Sequence, residues 1–377
     1  MSGSTTTIST AHDLDQRANA HKRVQQDPSL GVAQQPQTEK KDDRPLFYCK
    51  VRSVATVITL LSTLYVEKGI TVYVTVMPVS LRFTITKDKN LRARVYLKLP
   101  SFTQYVMRNE TSKYTFAVNL GILLQCLQVF GVGLPPTMQG TTSGRPWQQY
   151  SSNDTPQHAS LEMTYAAVGG PLHLKITDEA TGAVTECNIR TLDISNEDEG
   201  LYDTLNFKSC PVIAKIVLPS AFLRDTLAAA DGLAGATTFT LTVRPDTSAA
   251  AATATSGSSS TTTPQQPLVS VSAQGTAGRI SYDLPTVGRG GVFTTFECTK
   301  AATVSYPLAL IKACARAMAR SENSMLRVNE RGTLALHHMV PPIGIEPTAN
   351  QAAQRKDNGG EDKSNWIEFV VAACEIE

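Results

Sequence analysis

Most of the patterned part of this chain alternates apolar and polar residues over short runs. Examples are TVYVTV from Thr71, YTFAVN from Tyr114 and WIEFVV from Trp366, which are rich in β-branched and aromatic residues. Alternation of this length is typical of β-strands with one face in a core. The sequence therefore predicts a chain built mainly of short strands.

Four segments instead place apolar residues at helical spacing, at about 52–66, 119–130, 219–230 and 307–320. Two of these predicted helices fall in each half of the chain. TFAVNLGILLQCLQVF from Thr115 aligns with TVSYPLALIKACARAM from Thr303, an offset of 188 residues in a chain of 377. In both copies a strand runs directly into a helix. An offset near half of the chain predicts a duplicated α+β architecture.

Segments of low complexity separate the patterned regions. We expect a disordered tail at 1–44 and expanded loops at 131–158, 245–266 and 341–364, because these segments are poor in large apolar residues. The remaining chain divides into a first domain at 45–191, a connector at 192–209 and a second domain at 210–377. A length of 377 residues also favours about two domains.

Composition excludes several classes of protein. With 35 Lys and Arg against 33 Asp and Glu, the net charge is only +2, so any basic surface must be local. No apolar run reaches the roughly 18 residues that a membrane span needs, and no signal-peptide pattern begins the chain. We therefore expect a soluble, intracellular protein that does not bind a membrane.

The residues that carry most catalytic and metal chemistry are scattered. The seven cysteines include no Cys-x-x-Cys and favour free thiols over a disulfide framework or zinc site. His337 and His338 are neighbours in a predicted strand, so they point to opposite faces. We find no phosphate-binding loop, nucleophile elbow or Cys–His pair. The sequence thus predicts no catalytic residues, no metal site and no cofactor.

The predicted helix at 307–320 separates apolar side chains from basic ones. At about 100° per residue, one side is apolar: Leu310, Ile311, Cys314, Ala317 and Met318. The opposite side is basic with small neighbours: Lys312, Arg316 and Arg320, beside Ala309 and Ala319. Such a face suits a phosphate backbone, but an ordinary solvated face also carries charged side chains.

The other predicted helices have stripes that are small, neutral or basic. We expect them to consist of Arg52, Thr56, Thr59 and Thr63 in the first helix, Gly121, Gln125 and Gln128 in the second, and Ser220, Arg224 and Ala228 in the third. Asp225 lies close enough to Arg224 to dilute its charge. In the strand LRARVYLK from Leu91, Arg92, Arg94 and Lys98 share one face, which we expect to lie in water on the outside of a sheet.

Four segments in the same order resemble a known family. They are YTFAVNLGILLQCLQVFG from Tyr114, TLNFKSCPVIAKIVLPSAFLRDTLAAAD from Thr204, LRVNERGTLALHHM from Leu326 and WIEFVVAACEIE from Trp366. They are similar to DNA sliding clamps, and most of all to the Rad-one subunits of the checkpoint clamp, relatives of PCNA. The resemblance covers about residues 46–377 outside the low-complexity insertions.

The resemblance implies an α+β sliding-clamp fold with two repeated domains, helices lining a channel and antiparallel sheets outside. It implies a ring formed with two other clamp-like subunits in the nucleus. A clamp loader would place the ring around double-stranded DNA, and the ring would recruit repair and checkpoint proteins. The DNA-facing residues would be Arg52, Arg224, Lys312, Arg316 and Arg320.

Two further surfaces follow from the resemblance. A groove beneath the connector would receive partner peptides, with Leu201, Tyr202, Val370 and Val371 as candidates. Subunits would join through open sheet edges, for which the candidates are AVTECNIR at 183–190 and GRISYDL at 278–284.

Three alternatives remain open at this stage. A 3′→5′ exonuclease would need convergent carboxylates, for which the acidic connector, Asp88 and Asp283 are the candidates. A PCNA-like clamp would assemble as a homotrimer. A protein-interaction module would never encircle DNA and would leave the basic helix faces covered or dispensable.

Overall fold

The structure, a computed structural model, describes residues 44–129, 159–194, 205–246, 267–284, 292–340 and 365–374. The described residues form one compact unit. The predicted tail, the predicted loops and the middle of the connector lie outside the described residues, apart from a few residues at their ends.

The described helices lie where the sequence predicts helices, with shorter bounds except in the third. They are α1 (Val54–Ser62), α2 (Leu120–Leu127), α3 (Ser220–Asp231), α4 (Leu308–Ala313) and α5 (Ala315–Met318). A turn at Cys314 divides the predicted helix at 307–320 into α4 and α5, so its prediction as one continuous helix is wrong. Short 3₁₀ turns lie at Leu99–Ser101 and Phe207–Ser209.

Strands make up most of the described chain, as predicted. In chain order they are β1 (Phe47–Val51), β2 (Thr71–Met77), β3 (Ser80–Lys87), β4 (Leu91–Lys98), β5 (Phe102–Met107), β6 (Tyr114–Asn119), β7 (Ala159–Tyr165), β8 (Leu172–Asp178), β9 (Val184–Ile189), β10 (Leu192–Asp193), β11 (Val212–Pro219), β12 (Thr238–Val243), β13 (Val269–Gly275), β14 (Gly278–Leu284), β15 (Thr295–Cys298), β16 (Ala302–Pro307), β17 (Asn323–Asn329), β18 (Leu334–Val340) and β19 (Asn365–Val371).

The described strands form three sheets. Their orders are β5-β1-β7-β8-β9, then β10-β6-β2-β3-β4-β19-β18-β17-β11-β15, then β14-β13-β12-β16. Strand β4 pairs with β19 antiparallel, so the ten-stranded sheet joins the first half of the chain to its last strand.

Strand pairing in the first half is repeated in the second. Strand β1 pairs with β5 and β7, and β7, β8 and β9 follow in order; β11 likewise pairs with β15 and β17, and β17, β18 and β19 follow. In the same way β6-β2-β3-β4 matches β16-β12-β13-β14. Leu120 and Leu308, which align in the sequence repeat, are the first residues of α2 and α4. The structure therefore shows the duplicated α+β fold, while the domain boundaries at 191 and 210 stay a prediction.

Two hairpins show how local sequence fixes the strand ends. Asp88 and Lys89, both at positive φ (50° and 57°), connect β3 to β4 in a tight turn whose right-handed twist suits a hairpin. Gly332, at φ 77°, closes the turn between β17 and β18, where Asn329 Oδ1 accepts hydrogen bonds from the backbone of Arg331 and Thr333. This hairpin lies within LRVNERGTLALHHM, one of the four segments that carry the family resemblance.

The core is continuous across the junction of β4 and β19. Phe369 lies opposite Ala93, Ile367 lies opposite Val95, and none of these four side chains is exposed. They belong to the same cluster of buried residues as the apolar faces of the helices. The junction is therefore part of the core rather than a contact between two separate surfaces.

We predict that Phe369→Ala lowers the free energy of unfolding by about 3–5 kcal/mol, because a large cavity opens in a fully packed site. Phe222→Ala is the matched control, since Phe222 is 45% exposed and its loss should cost less than about 1 kcal/mol. Urea denaturation of the full-length chain measures both values. Equal costs for the two variants would show that the junction is not a packed core.

Candidate nucleic-acid interface and outer pocket

The helices α4 and α5 present the basic side that the sequence predicts. Their apolar residues are buried: Leu310, Ile311, Cys314, Ala317 and Met318. Lys312, Arg316 and Arg320 are exposed, together with Ala309 and Ala319. The predicted separation of faces is confirmed, although Arg320 lies just beyond the end of α5.

The sequence did not reveal the partner of Lys312. Its Nζ lies 2.5 Å from Oδ1 of Asp231, the last residue of α3, and both side chains are 46% exposed. Helices α3 and α4 are adjacent in the fold, and this proximity brings the two charges together. Lys312 is thus an exposed cation whose charge Asp231 partly offsets.

Arg316 reaches across to the first half of the chain. Its guanidinium donates hydrogen bonds to the carbonyl oxygens of Tyr65, at 2.6 Å, and Ser62, at 3.4 Å. Ser62 is the last residue of α1 and Tyr65 lies three residues beyond it, so the guanidinium lies near the C-terminal end of the helix, where the helix dipole is negative. Arg316 therefore has a structural role as a cap on α1, in addition to any contact with a ligand.

The remaining predicted DNA-facing residues differ in their surroundings. Arg52 is exposed but precedes α1, so its placement on a helix was wrong. Arg224 is exposed on α3, and its Nε lies 3.4 Å from Asp225 Oδ1, which confirms the predicted dilution of its charge. Among the described residues, Arg320 forms no salt bridge.

Two of the predicted polar stripes are corrected by the structure. Thr56 and Thr63 are buried, and Thr63 donates to the Leu60 carbonyl at 2.7 Å, so the outward side of α1 is not the predicted one. Ser220 is also buried, 2.7 Å from the hydroxyl of Ser324. Buried hydroxyl groups can form hydrogen bonds with other groups of the protein, so the polarity of these residues did not identify an exposed face.

The second predicted stripe is confirmed only in part. Gln125 is exposed on α2 and Gln128 is half-buried beyond it. Ile122, however, is 50% exposed on the same side, although it aligns with the buried Leu310 of the sequence repeat. The exposed face of α2 is therefore neutral and partly apolar.

The predicted partner groove is not formed by the residues chosen for it. Leu201 and Tyr202 lie outside the described residues. Val370 and Val371 are both fully buried, Val371 in the main core and Val370 beneath Phe207 of the connector's end. Neither valine offers surface to a peptide, so their assignment to an exposed groove was wrong.

A different cavity lies beside this point, on the sheet face opposite the helices. Leu91, Ala93, Val95 and Leu97 of β4 point into the core that the helices share, so the alternate residues of β4 point the other way. These residues line a cavity of about 970 Å³ with neighbours from β17, β18 and β19. We call it the outer pocket; its lining includes Arg92, Arg94, Tyr96, Lys98, Arg327, His337, Trp366 and Glu368.

The expectation that Arg92 and Arg94 lie in water on an outer sheet face is wrong. Only 4% and 8% of their surface is exposed. Both guanidinium groups approach Glu368 Oε2, Arg94 at 3.7 Å and Arg92 at 3.9 Å. Arg94 and Glu368 are cross-strand partners, which explains how their side chains meet.

The end of the connector is held against the outer pocket. Phe207 packs on Val370 and Ala335, while the Arg327 guanidinium lies 5.2 Å from the centre of its ring. Arg92 donates to the Leu205 carbonyl, and Asn329 donates to the Phe207 carbonyl. The connector therefore ends in a fixed position at the border of the pocket.

Two adjacent histidines occupy opposite faces of β18, as predicted. His337 lies in the outer pocket, where burial, and then the charge of Arg327, lower its pKa to about 3. His338 lies on the core side, 2.9 Å from Ser324 Oγ, where burial, and then His337, lower its pKa to about 3. Both rings are therefore neutral at physiological pH, and His337 Nε2 can accept from Arg327.

Asp88 and Asp283, two of the carboxylates considered for catalysis, lie in separate places, whereas the acidic connector at 195–204 lies outside the described residues. Asp88 forms the turn between β3 and β4, and Asp283 lies on β14 in another sheet. Within the described ranges, no three His, Cys, Asp or Glu side chains form a group that could hold a metal ion. The seven cysteines are free thiols. None of the described helices has the length and apolarity to cross a membrane.

Comparison with known proteins connects this geometry to a family. Residues 46–340 match the family described as repair protein Rad1/Rec1/Rad17. A cell cycle checkpoint protein RAD1 of Mus musculus is 28% identical over 78% of this chain and 87% of its own length. The DNA damage checkpoint control protein rad1 of Schizosaccharomyces pombe is 21% identical over 69% of this chain and 71% of its own.

A solved structure supports the fold independently. The proliferating cellular nuclear antigen of Entamoeba histolytica superposes with a TM-score of 0.55, over 88% of this chain and 100% of its own. Its sequence identity to this chain is 11%, so the likeness concerns the fold alone. The sliding-clamp fold expected from the sequence resemblance is confirmed.

We predict that Arg316→Ala lowers the free energy of unfolding by about 1 kcal/mol, because the carbonyl of Ser62 at the end of α1 and that of Tyr65 beyond it lose a cationic donor. Arg320→Ala removes the same charge from the neighbouring turn and should change stability by less than about 0.5 kcal/mol. Urea denaturation at low ionic strength measures the difference. If both variants are equally stable, the contact between Arg316 and α1 does not contribute to the fold.

Proposed function

This chain belongs to the repair-protein family described as Rad1/Rec1/Rad17, and on that premise we propose that it is one subunit of a ring-shaped checkpoint clamp that encircles DNA. The names of its curated relatives and the sliding-clamp fold support this function. The ring would hold two domains of this chain, near residues 45–191 and 210–377, and two other clamp-like subunits.

The repeat of strand pairing is the observation that carries the proposal. Inside the chain, β4 of the first half pairs with β19 of the second. The strands at the same positions in the opposite halves are β14, which matches β4, and β9, which matches β19. Among the described strands, both lie at the edges of their sheets. The chain therefore repeats, at two sheet edges, the two kinds of strand that pair with each other inside it as β4 and β19.

The β14 edge can pair with an edge like β9 on one neighbouring subunit, and the β9 edge with an edge like β14 on another. A head-to-tail interface of this kind produces a closed ring if the rotation between subunits returns to its start. The edges agree with the segments chosen from sequence at 183–190 and 278–284. Apolar side chains on them are partly exposed, Val184 at 51% and Tyr282 at 39%, which leaves surface for a neighbour to cover.

The helices would face the DNA in this ring. They lie on the side opposite the outer pocket, and α4 and α5 bring Lys312, Arg316 and Arg320 to one exposed face. Side chains of this kind contact phosphates without reading bases. Because Asp231 and Asp225 offset part of the charge, the contacts would be loose, and retention would come from encirclement.

The subunit would act without catalysing a reaction. Loading onto DNA requires opening the ring, and a clamp loader would supply the ATP chemistry for this step. The outer sheet faces would remain available to repair and checkpoint proteins in the nucleus. Members of the family act in repair and checkpoint control by their names, which supports this assignment.

The experiment measures retention of the assembled protein, purified with its partner subunits, on a duplex with free or blocked ends. We expect retention to require blocked ends. We also expect Lys312→Gln with Arg320→Gln to lower the salt dependence of binding, by about 0.9 in log–log slope for each phosphate that the variant no longer neutralises.

Lys175→Gln is the control for the loss of one charge elsewhere, to be compared with half of the double variant's effect, since Lys175 alternates with the buried Leu174 and Ile176 and so lies on an outer sheet face. It should leave retention and slope unchanged. Equal retention on free and blocked ends, or an equal change of slope with Lys175→Gln, would contradict the proposed encirclement.

A further inference from the structure

We propose that the outer pocket binds an acidic peptide segment of a partner protein. Carboxylate groups of the peptide would lie against Arg327 and Lys208, and an apolar side chain would lie against Trp366 and Leu99. The proposal rests on the proposed function in one respect, namely that the outer face receives partner proteins.

The charged side chains that line the outer pocket are mostly cationic. Five of its side chains carry a positive charge: Arg92, Arg94, Lys98, Lys208 and Arg327. Glu368 is the one acidic side chain among the described residues that line it. His337 adds no positive charge near neutral pH, since its pKa lies at about 3. The pocket therefore presents a positive potential to a ligand.

The five cations differ in how readily each could bind a carboxylate of the peptide. Arg92 and Arg94 are nearly buried and already contact Glu368, so they act as a fixed source of positive potential. Lys208 is exposed at the border. The Nε of Arg327 is buried without a hydrogen-bond partner among the described residues, although NH2 contacts His337. Arg327 and Lys208 are the groups placed to receive a carboxylate.

The other part of the outer pocket is apolar and aromatic. Val79 and Leu99 are 67% and 41% exposed, and Tyr96, Pro100 and Trp366 line the cavity beside them. The Lys98 ammonium lies 5.4 Å from the centre of the Trp366 ring. A free inorganic anion would leave this apolar surface in water, whereas a peptide with acidic and apolar residues would cover both parts.

The shape of the outer pocket does not suit a DNA duplex. Its two central arginines are at most 8% exposed at the bottom of a cavity, where a phosphate backbone cannot reach them. It also lies on the sheet face opposite the helices. A single strand with unstacked bases is the remaining nucleic-acid ligand, and the experiment tests it directly.

The fluorescence of Trp366 provides a local measure of binding. The chain contains two tryptophans, so Trp147→Phe leaves Trp366 as the reporter. The probe is a dodecapeptide of alternating Asp and Leu, and its neutral counterpart contains Asn in place of Asp. We expect the acidic peptide to change Trp366 emission and to bind at least about tenfold more tightly than the neutral one.

Variants locate the binding in the outer pocket. Lys208→Glu should weaken binding of the acidic peptide by roughly threefold to tenfold, and Arg327→Met by about thirtyfold or more, because a half-buried cationic donor is lost. Lys175→Glu makes a similar change of charge on another sheet face and should leave the affinity unchanged. Lys208 is exposed, so its variant keeps the test valid even if Arg327→Met does not fold.

Several outcomes would overturn the proposal. Equal binding of the acidic and neutral peptides would indicate an apolar groove, and tighter binding of oligo-dT at Trp366 would indicate a single-strand site. If the acidic peptide binds only after Glu197, Asp198 and Glu199 are replaced by neutral residues, the chain's own connector is the occupant of the outer pocket. The assay uses neither the assembled ring nor duplex DNA, so its failure is distinct from failure of the proposed function.

Discussion

The antiparallel pairing of β4 with β19 is the interaction on which the rest of the structure depends. It joins the first half of the chain to its last strand and makes one sheet of ten strands. On the core side, Ile367 and Phe369 are fully buried, and burial of such side chains contributes about 1.5–3 kcal/mol each. On the other side, the same pairing places Arg94 opposite Glu368 and so builds the centre of the outer pocket.

Contacts between distant parts of the chain lie on both sides of the β4–β19 junction, the helix side and the outer side. On the helix side, Arg316 caps the end of α1 from the other half. On the outer side, Phe207 covers Val370 and Ala335, and Arg92 holds the Leu205 carbonyl. The two faces thereby acquire different chemistry: exposed cations beside small residues on the helices, and enclosed cations beside aromatic rings on the sheet. This difference suits a long, smooth polyanion on one face and a short segment of protein on the other.

The sequence predicted the fold better than the site. Alternation located the strands, helical spacing located the helices, and the repeat indicated the duplication, because these signals are local. The period of a helix also identified the exposed cations of α4 and α5. A local period does not reveal contacts between distant parts of the chain. Arg94 and Glu368 lie 274 residues apart, and Asp231 meets Lys312 only because α3 packs on α4. The hydroxyls of Thr63 and Ser220 misled the prediction because internal hydrogen bonds satisfy them.

The central claim is that the edges β9 and β14 join this chain to two different clamp-like subunits. Native mass spectrometry of the assembly, purified with the subunits that it retains from its own cells, tests this claim most directly. We expect one copy of this chain with one copy each of two other clamp-like chains. A homotrimer, or a monomer that captures no clamp-like partner even after crosslinking, would contradict it.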